Sequence, residues 1–123
     1  MPEEVYKTIE LENKHTLQIL DRSRMIGKDA FLVKMAARLE ISITPDLFSL
    51  PLPDGVSVEK IIAVLGEQTA WEYEVERNFI KDKDKDAVFN SLVKTFLENL
   101  EPYVSKPHFP EKFIIKEFQD KTD

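Results

Sequence analysis

Residues 31–43 alternate almost without interruption between two kinds of side chain. Phe31, Val33, Met35, Ala37, Leu39, Ile41 and Ile43 fall on one side of an extended chain, and Leu32, Lys34, Ala36, Arg38, Glu40 and Ser42 fall on the other. A period of two marks a strand with one face on a core and its back towards water. A strand of this length cannot bury that face alone; it requires sheet neighbours and a covering layer.

Two shorter runs precede it. Val5, Lys7, Ile9 and Leu11 alternate with Tyr6, Thr8, Glu10 and Glu12, and after Asn13-Lys14 a second run passes through Leu17, Ile19 and Asp21. The pattern predicts a hairpin, with the asparagine tolerating the left-handed conformation that a tight connection needs. Residues 22–29, polar and containing Gly27, are expected to form the connection into the long strand. Three strands joined by short loops make an antiparallel meander, because parallel neighbours need a crossover of about a dozen residues.

Beyond the long strand, Pro45, Pro51, Pro53 and Gly55 make residues 44–57 a loop, and Leu47, Phe48, Leu50 and Leu52 make it an apolar one. Val58, Ile61, Ile62 and Leu65 then sit at helical spacing between Ser57 as N-cap and Gly66 as a stop. Alternation returns over residues 69–79, with Trp71, Tyr73 and Val75 on one face and Glu72, Glu74 and Glu76 on the other, which predicts a fourth strand. Val88, Phe89, Leu92, Val93, Phe96, Leu97 and Leu100 form one continuous stripe at helical offsets. Asp82, Asp84 and Asp86 are placed to cap the start of that helix, and Pro102 to end it. In residues 111–118, Phe113, Ile114, Glu117 and Phe118 suit a helix while the doublet Ile114-Ile115 suits a strand; the helix is the expectation.

The predicted fold is a single α+β domain over residues 1–123. It has an antiparallel sheet of about four strands, built as a three-strand meander, a short helix and a fourth strand, with a long helix of the C-terminal half packed on one face. Lys34 and Arg38 are expected to meet Glu72, Glu74 and Glu76 as cross-strand ion pairs.

Composition narrows the function classes. With 42% apolar and 33% charged residues and only three glycines, the chain has the make-up of a folded globular protein of about one domain. The absence of cysteine removes disulfides and thiolate chemistry, and agrees with a reducing compartment. Met1-Pro2-Glu3-Glu4 lacks the basic and then apolar run of a signal peptide, and no stretch approaches the roughly twenty apolar residues of a membrane span. The expected address is the cytoplasm, with no membrane partner. Seventeen basic against 23 acidic residues give a net charge of −6, and Lys81, Lys83 and Lys85 alternate with Asp82, Asp84 and Asp86, so no basic patch favours nucleic acid.

Motifs that carry chemistry fall short of their patterns. Asp82-Lys83-Asp84-Lys85-Asp86 opens like a calcium loop, but Ala87 stands where the turn glycine belongs and Val93 where the bidentate glutamate belongs. His15 and His108 lie in a predicted hairpin and a proline-rich segment, without metal-ligand spacing, and the three glycines are isolated. No catalytic, metal or cofactor residue is assigned. A dispersed active site drawing on Tyr73, His15 and nearby carboxylates is the third-ranked expectation.

Asp21-Arg22-Ser23-Arg24-Met25-Ile26-Gly27 resembles the DxSxxG element of PilZ domains, which bind cyclic di-GMP through that element and an upstream RxxxR. The glycine comes one position late, and no arginine precedes Asp21. The resemblance implies a cyclic dinucleotide site with Arg22, Ser23 and Arg24 as its contacts.

The leading expectation is a non-catalytic module that binds another protein or a second copy of itself. Its candidate surface is the apolar loop residues Leu47, Phe48, Leu50 and Leu52 together with Phe109 and Phe113 of the proline-flanked tail. Large apolar side chains on connections either plug the end of a core or form a contact surface, and a proline-restricted backbone loses less entropy when a partner binds.

Overall fold

The computed structural model describes residues 4–122. Five strands and four helices follow one another as β1 (Glu4–Glu10), β2 (Thr16–Asp21), β3 (Arg24–Gly27), β4 (Ala30–Ser42), α1 (Val58–Leu65), β5 (Gln68–Ile80), α2 (Lys85–Asn99), α3 (Glu101–Val104) and α4 (Phe109–Thr122). The architecture is α+β: one antiparallel sheet with the helices on one face, as the alternation of β4 requires.

β4 is the spine of the sheet. On one edge it pairs with β5 from Phe31↔Ile80 to Ser42↔Gln68, and on the other it meets β2 (Leu17↔Leu39 to Asp21↔Met35) and then β3 (Arg24↔Leu32 to Gly27↔Ala30). Residues 22–29 are therefore not a connection throughout, as the sequence predicts. Half of them, Arg24–Gly27, form β3 along β4 after a break at Arg22 and Ser23, and only Lys28 and Asp29 turn, with Asp29 at φ 51°. Exposed Met25 and Ile26 break the alternation that marks the other strands, so the ladder with β4 decides their conformation.

The β1–β2 hairpin closes as predicted, but Lys14 rather than Asn13 takes the left-handed conformation, at φ 69°. Asn13 works through its side chain instead. Its Oδ1 accepts from the His15 amide at 3.1 Å, while its Nδ2 donates to the carbonyls of Val104 and Lys106, both at 3.0 Å.

Helix boundaries follow local chemistry. At α1, Ser57 Oγ accepts from the Lys60 amide at 3.2 Å, and Gly66 ends the helix at φ 88°, a conformation that suits a residue without Cβ. At α2 the expected aspartate cap is absent. Residues Asp82–Asp84 form a 3-10 turn, and Asp84 makes no side-chain cap. α2 ends at Asn99 before Pro102, and α3 restarts with that proline in its first turn, where its missing N–H costs nothing. The tail is helical over 14 residues.

The core lies between the inner sheet face and the helices. Val33, Met35, Leu39 and Ile41 are fully buried against Phe89, Leu92, Val93 and Phe96 of α2 and Ile114 and Phe118 of α4. Each large side chain so buried contributes roughly 1.5 to 3 kcal/mol. The outer face carries charge in register: Lys34↔Glu76, Ala36↔Glu74 and Arg38↔Glu72. Among the described residues, no helix is long and apolar enough to cross a membrane.

Candidate functional site

The two apolar segments singled out in the sequence have different fates. In the first, Leu47, Phe48 and Leu52 pack against the core and Leu50 is half-buried beside them. What holds this loop down is Glu111, from the first turn of α4, whose side chain is only 2% exposed. Its Oε2 accepts from the backbone amides of Ser49 at 2.9 Å and Leu50 at 3.0 Å, and its Oε1 accepts from Ser49 Oγ at 2.8 Å and His108 Nδ1 at 2.7 Å. Burial works to raise the Glu111 carboxyl. The Leu50 amide, the His108 ring, and the hydroxyl and amide of Ser49 outweigh it and hold the group below its ordinary value of 4.5.

Ser49, His108 and Glu111 are the residue types of a nucleophilic triad, but the geometry is that of a latch. In a triad, one imidazole nitrogen faces the acid while the other faces the nucleophile. Here His108 Nδ1 lies 2.7 Å from Glu111 Oε1 and 3.2 Å from Ser49 Oγ, and the serine donates directly to the glutamate. The hydroxyl proton is committed to the carboxylate, and the histidine does not stand between acid and nucleophile.

The second segment opens a cleft. Phe109 forms its floor and is 8% exposed, with Trp71 edge-on to it at 5.8 Å, Tyr103 edge-on at 5.1 Å and Phe113 stacked at 6.2 Å. These rings, from β5, α3 and α4, surround a volume of ≈ 590 Å³. Edge-to-face and offset-stacked pairs are the favoured arrangements of aromatic rings. The four-residue period of α4 places Phe109 and Phe113 in one row and Lys112 and Lys116 in the next. With Lys106, whose Nζ lies 5.7 Å over the Tyr103 ring, these lysines make one side of the rim basic, while Glu117 and Asp120 close the far end.

Trp71, Tyr103 and the three lysines were not among the residues the sequence nominated. The spacing of Lys112 and Lys116 becomes informative only once residues 109–122 are known to be helical. Trp71 reads as a core residue, which it partly is, because its ring also lies 6.4 Å from Phe96.

Ser23 and Arg24 border one hollow with Asp21, Tyr6 and Asn90, while Arg22 is engaged on the outer sheet face. Arg22 reaches across β4 to β5, donating from Nη1 to Glu72 Oε1 at 3.0 Å and Glu74 Oε2 at 2.7 Å, and so covers Ala36. Ser23 fills the break between β2 and β3: its amide donates to Asp21 Oδ1 at 2.9 Å, and its Oγ accepts from the Lys34 amide at 3.0 Å. These bonds give the Asp-x-Ser spacing a structural role in carrying the ladder past an irregularity. Arg24 is exposed and pairs in register with Leu32.

Arg38 bonds Glu72 from the other side, and Lys34 lies 3.6 Å from Glu76. The cross-strand pairs expected from the sequence are present. Partial burial acts to raise the Glu72 carboxyl, but the guanidinium groups of Arg22 and Arg38 outweigh it and hold the group below the ordinary carboxylate range. His15 faces a separate hollow beside Gln18 and Arg38, away from the aromatic cleft. No family model, curated protein or solved structure matches the chain. The chemistry of its own surfaces is what indicates its role.

Proposed function

We propose that this chain is a non-catalytic protein-binding module whose seat is the cleft of Trp71, Tyr103, Phe109 and Phe113. One observation carries this reading: four aromatic rings line ≈ 590 Å³ beside three lysines, with Glu117 and Asp120 at the same cleft, in a chain whose net charge is −6. Rigid rings bury a large apolar side chain with little loss of their own freedom, and local positive charge on an acidic protein selects an acidic neighbour. The occupant is a segment of another protein with an aromatic anchor flanked by Asp or Glu. Of the surface nominated from the sequence, Phe109 and Phe113 belong to this site, while the latch engages the loop of Leu47, Phe48, Leu50 and Leu52 in internal packing.

Trp71 is the only tryptophan, so its emission reports on the cleft directly. Titration with a short peptide carrying phenylalanine between aspartates should change that emission saturably. The effect should weaken with added salt, and a lysine-flanked peptide should bind about tenfold more weakly. Equal response to both peptides, or none to either, overturns the reading. A dimer whose dissociation follows Phe113→Asp would assign the cleft to a second copy instead.

A further inference from the structure

β5 has only one occupied edge. β4 pairs along its inner side from Ile80 to Gln68, and no other strand among the described residues pairs with it. Alternate N–H and C=O groups on the outer side therefore present a template for an added strand. Long edges are commonly blunted by a proline, a bulge or charged side chains, and of these, residues 68–76 carry only the charges of Glu72, Glu74 and Glu76. Residues 68–76 contain no proline, and the bulge of β5 comes only after them, between the pairs Val33↔Arg77 and Phe31↔Ile80.

That bulge holds Phe79 at φ 58° with 79% of its surface exposed. A left-handed conformation strains a bulky residue, and glycine or asparagine would adopt it at lower cost. The ring is also in water, where its apolar surface gains nothing. Phe79 is thus both strained and exposed, at the end of an open strand edge, and nothing it touches within the domain accounts for a phenylalanine there.

The two faces beside the edge differ. On the inner side, Tyr73, Val75 and Ile80 of the strand and Val88, Leu92 and Phe96 of the helical layer line a groove of ≈ 440 Å³. On the outer side stand Glu72, held by Arg22 and Arg38, Glu74, held by Arg22 at 2.7 Å, and Glu76, 3.6 Å from Lys34; the side chains of Glu74 and Glu76 are still 43% and 48% exposed.

We propose that the outer edge of β5 docks an extended strand of a partner protein in which basic and apolar residues alternate. The partner's backbone continues the sheet beside residues 68–76, its apolar side chains enter the groove, its basic side chains lie over Glu74 and Glu76, and Phe79 packs on its end. In the central registers a second copy of this chain is disfavoured on the same edge: antiparallel pairing about Val75 sets Glu74 of each copy against Glu76 of the other, and pairing about Glu74 adds a further like-charge contact. Pairing about Trp71 avoids these contacts, and a second copy seated there would form a dimer in the absence of peptide. This site adjoins the aromatic cleft, because Trp71 of the same strand walls the cleft and stacks on Tyr73 of the groove at 6.4 Å, but the inference does not rest on the reading of that cleft.

Hydrogen exchange followed by NMR, with a short peptide alternating lysine and valine as the probe, tests the proposal. Outward-facing amides within residues 68–76 should exchange more slowly on binding, and a glutamate–valine peptide should bind at least about tenfold more weakly. Phe79→Gly should weaken binding about tenfold without lowering the thermal midpoint, since glycine relieves the backbone while removing the ring. Glu76→Lys should shift preference towards the glutamate–valine peptide. Protection of β1 instead of β5, equal affinity for the two peptides, parent-like binding by Phe79→Gly, or a peptide-free dimer joined through β5 would each overturn it.

Discussion

The loop of residues 44–57 and the start of α4 look alike as sequence: large apolar side chains among prolines. Folded, the loop is tied down through its backbone, while the start of α4 borders a cleft. The difference lies in the backbone rather than the side chains. The amides of Ser49 and Leu50 are part-buried, and a fully buried unpaired amide costs about 1 to 3 kcal/mol. Glu111 Oε2 accepts from both. Phe113 lies within a helix that bonds its amide internally, and the amide of Phe109, at the helix start, donates to the Lys106 carbonyl at 3.1 Å, so no distant acceptor is needed to hold this segment. A segment without distant backbone demands can leave its rings at a surface, and there a cleft forms.

The largest expected effect comes from breaking the latch. Glu111→Ala strands part-buried donors and should cost about 3 to 5 kcal/mol, measured by urea denaturation. Loss of less than about 1 kcal/mol would mean the loop is held by apolar packing alone. Acid probes the same contact. Because the folded-state value of Glu111 lies below 4.5, its contribution is fully present above that pH and is lost as pH falls through the lower folded value. Glu111→Gln should therefore narrow its deficit against the parent as pH drops. Glu72 has the same sign of dependence and persists in both proteins, so the parent-minus-variant difference isolates the latch.

A smaller effect separates the two segments by side chain. Phe48→Ala should cost about 1 to 3 kcal/mol, because the ring is half-buried against the core. The smallest stability effect should come from the cleft rim. Lys112→Glu combined with Lys116→Glu should change stability by no more than about 0.5 kcal/mol per site, while binding of the aspartate-flanked peptide falls about tenfold. If the rim pair destabilises the fold as much as Phe48→Ala does, the contrast between the tied loop and the cleft fails.

The fold was largely legible because its strongest elements carry single unbroken periods. β4 and β5 repeat every two residues, and α2 repeats every three to four, so their faces follow from the chain alone. Even the partnership of Lys34 and Arg38 with the glutamates of β5 could be read, since antiparallel neighbours bring polar faces together. β3 was not legible, because four residues that include Gly27 have no period to show. The missing aspartate cap at α2 was equally hidden: a 3-10 turn takes up the residues that composition marks as caps.

The candidate sites were less legible than the fold. Phe109 and Phe113 were nominated, but Trp71 and Tyr103 come from elements 30 or more positions apart in the chain, and no spacing rule joins them. Glu111 reads as one more charged residue of a helix; only its position against Ser49, 62 residues away, makes it a latch. Phe79 gives no sign in the sequence of its left-handed backbone, which arises from a register shift between two long strands.

The sequence by itself determined which side chains face inward, because strand and helix periods are local properties fixed by backbone geometry. Only the tertiary structure decided which apolar segment would be tied down and which strand edge would remain open. Those outcomes depend on where distant polar groups find partners, and a backbone amide donates to whichever acceptor the fold brings within reach, however far away it lies in the chain.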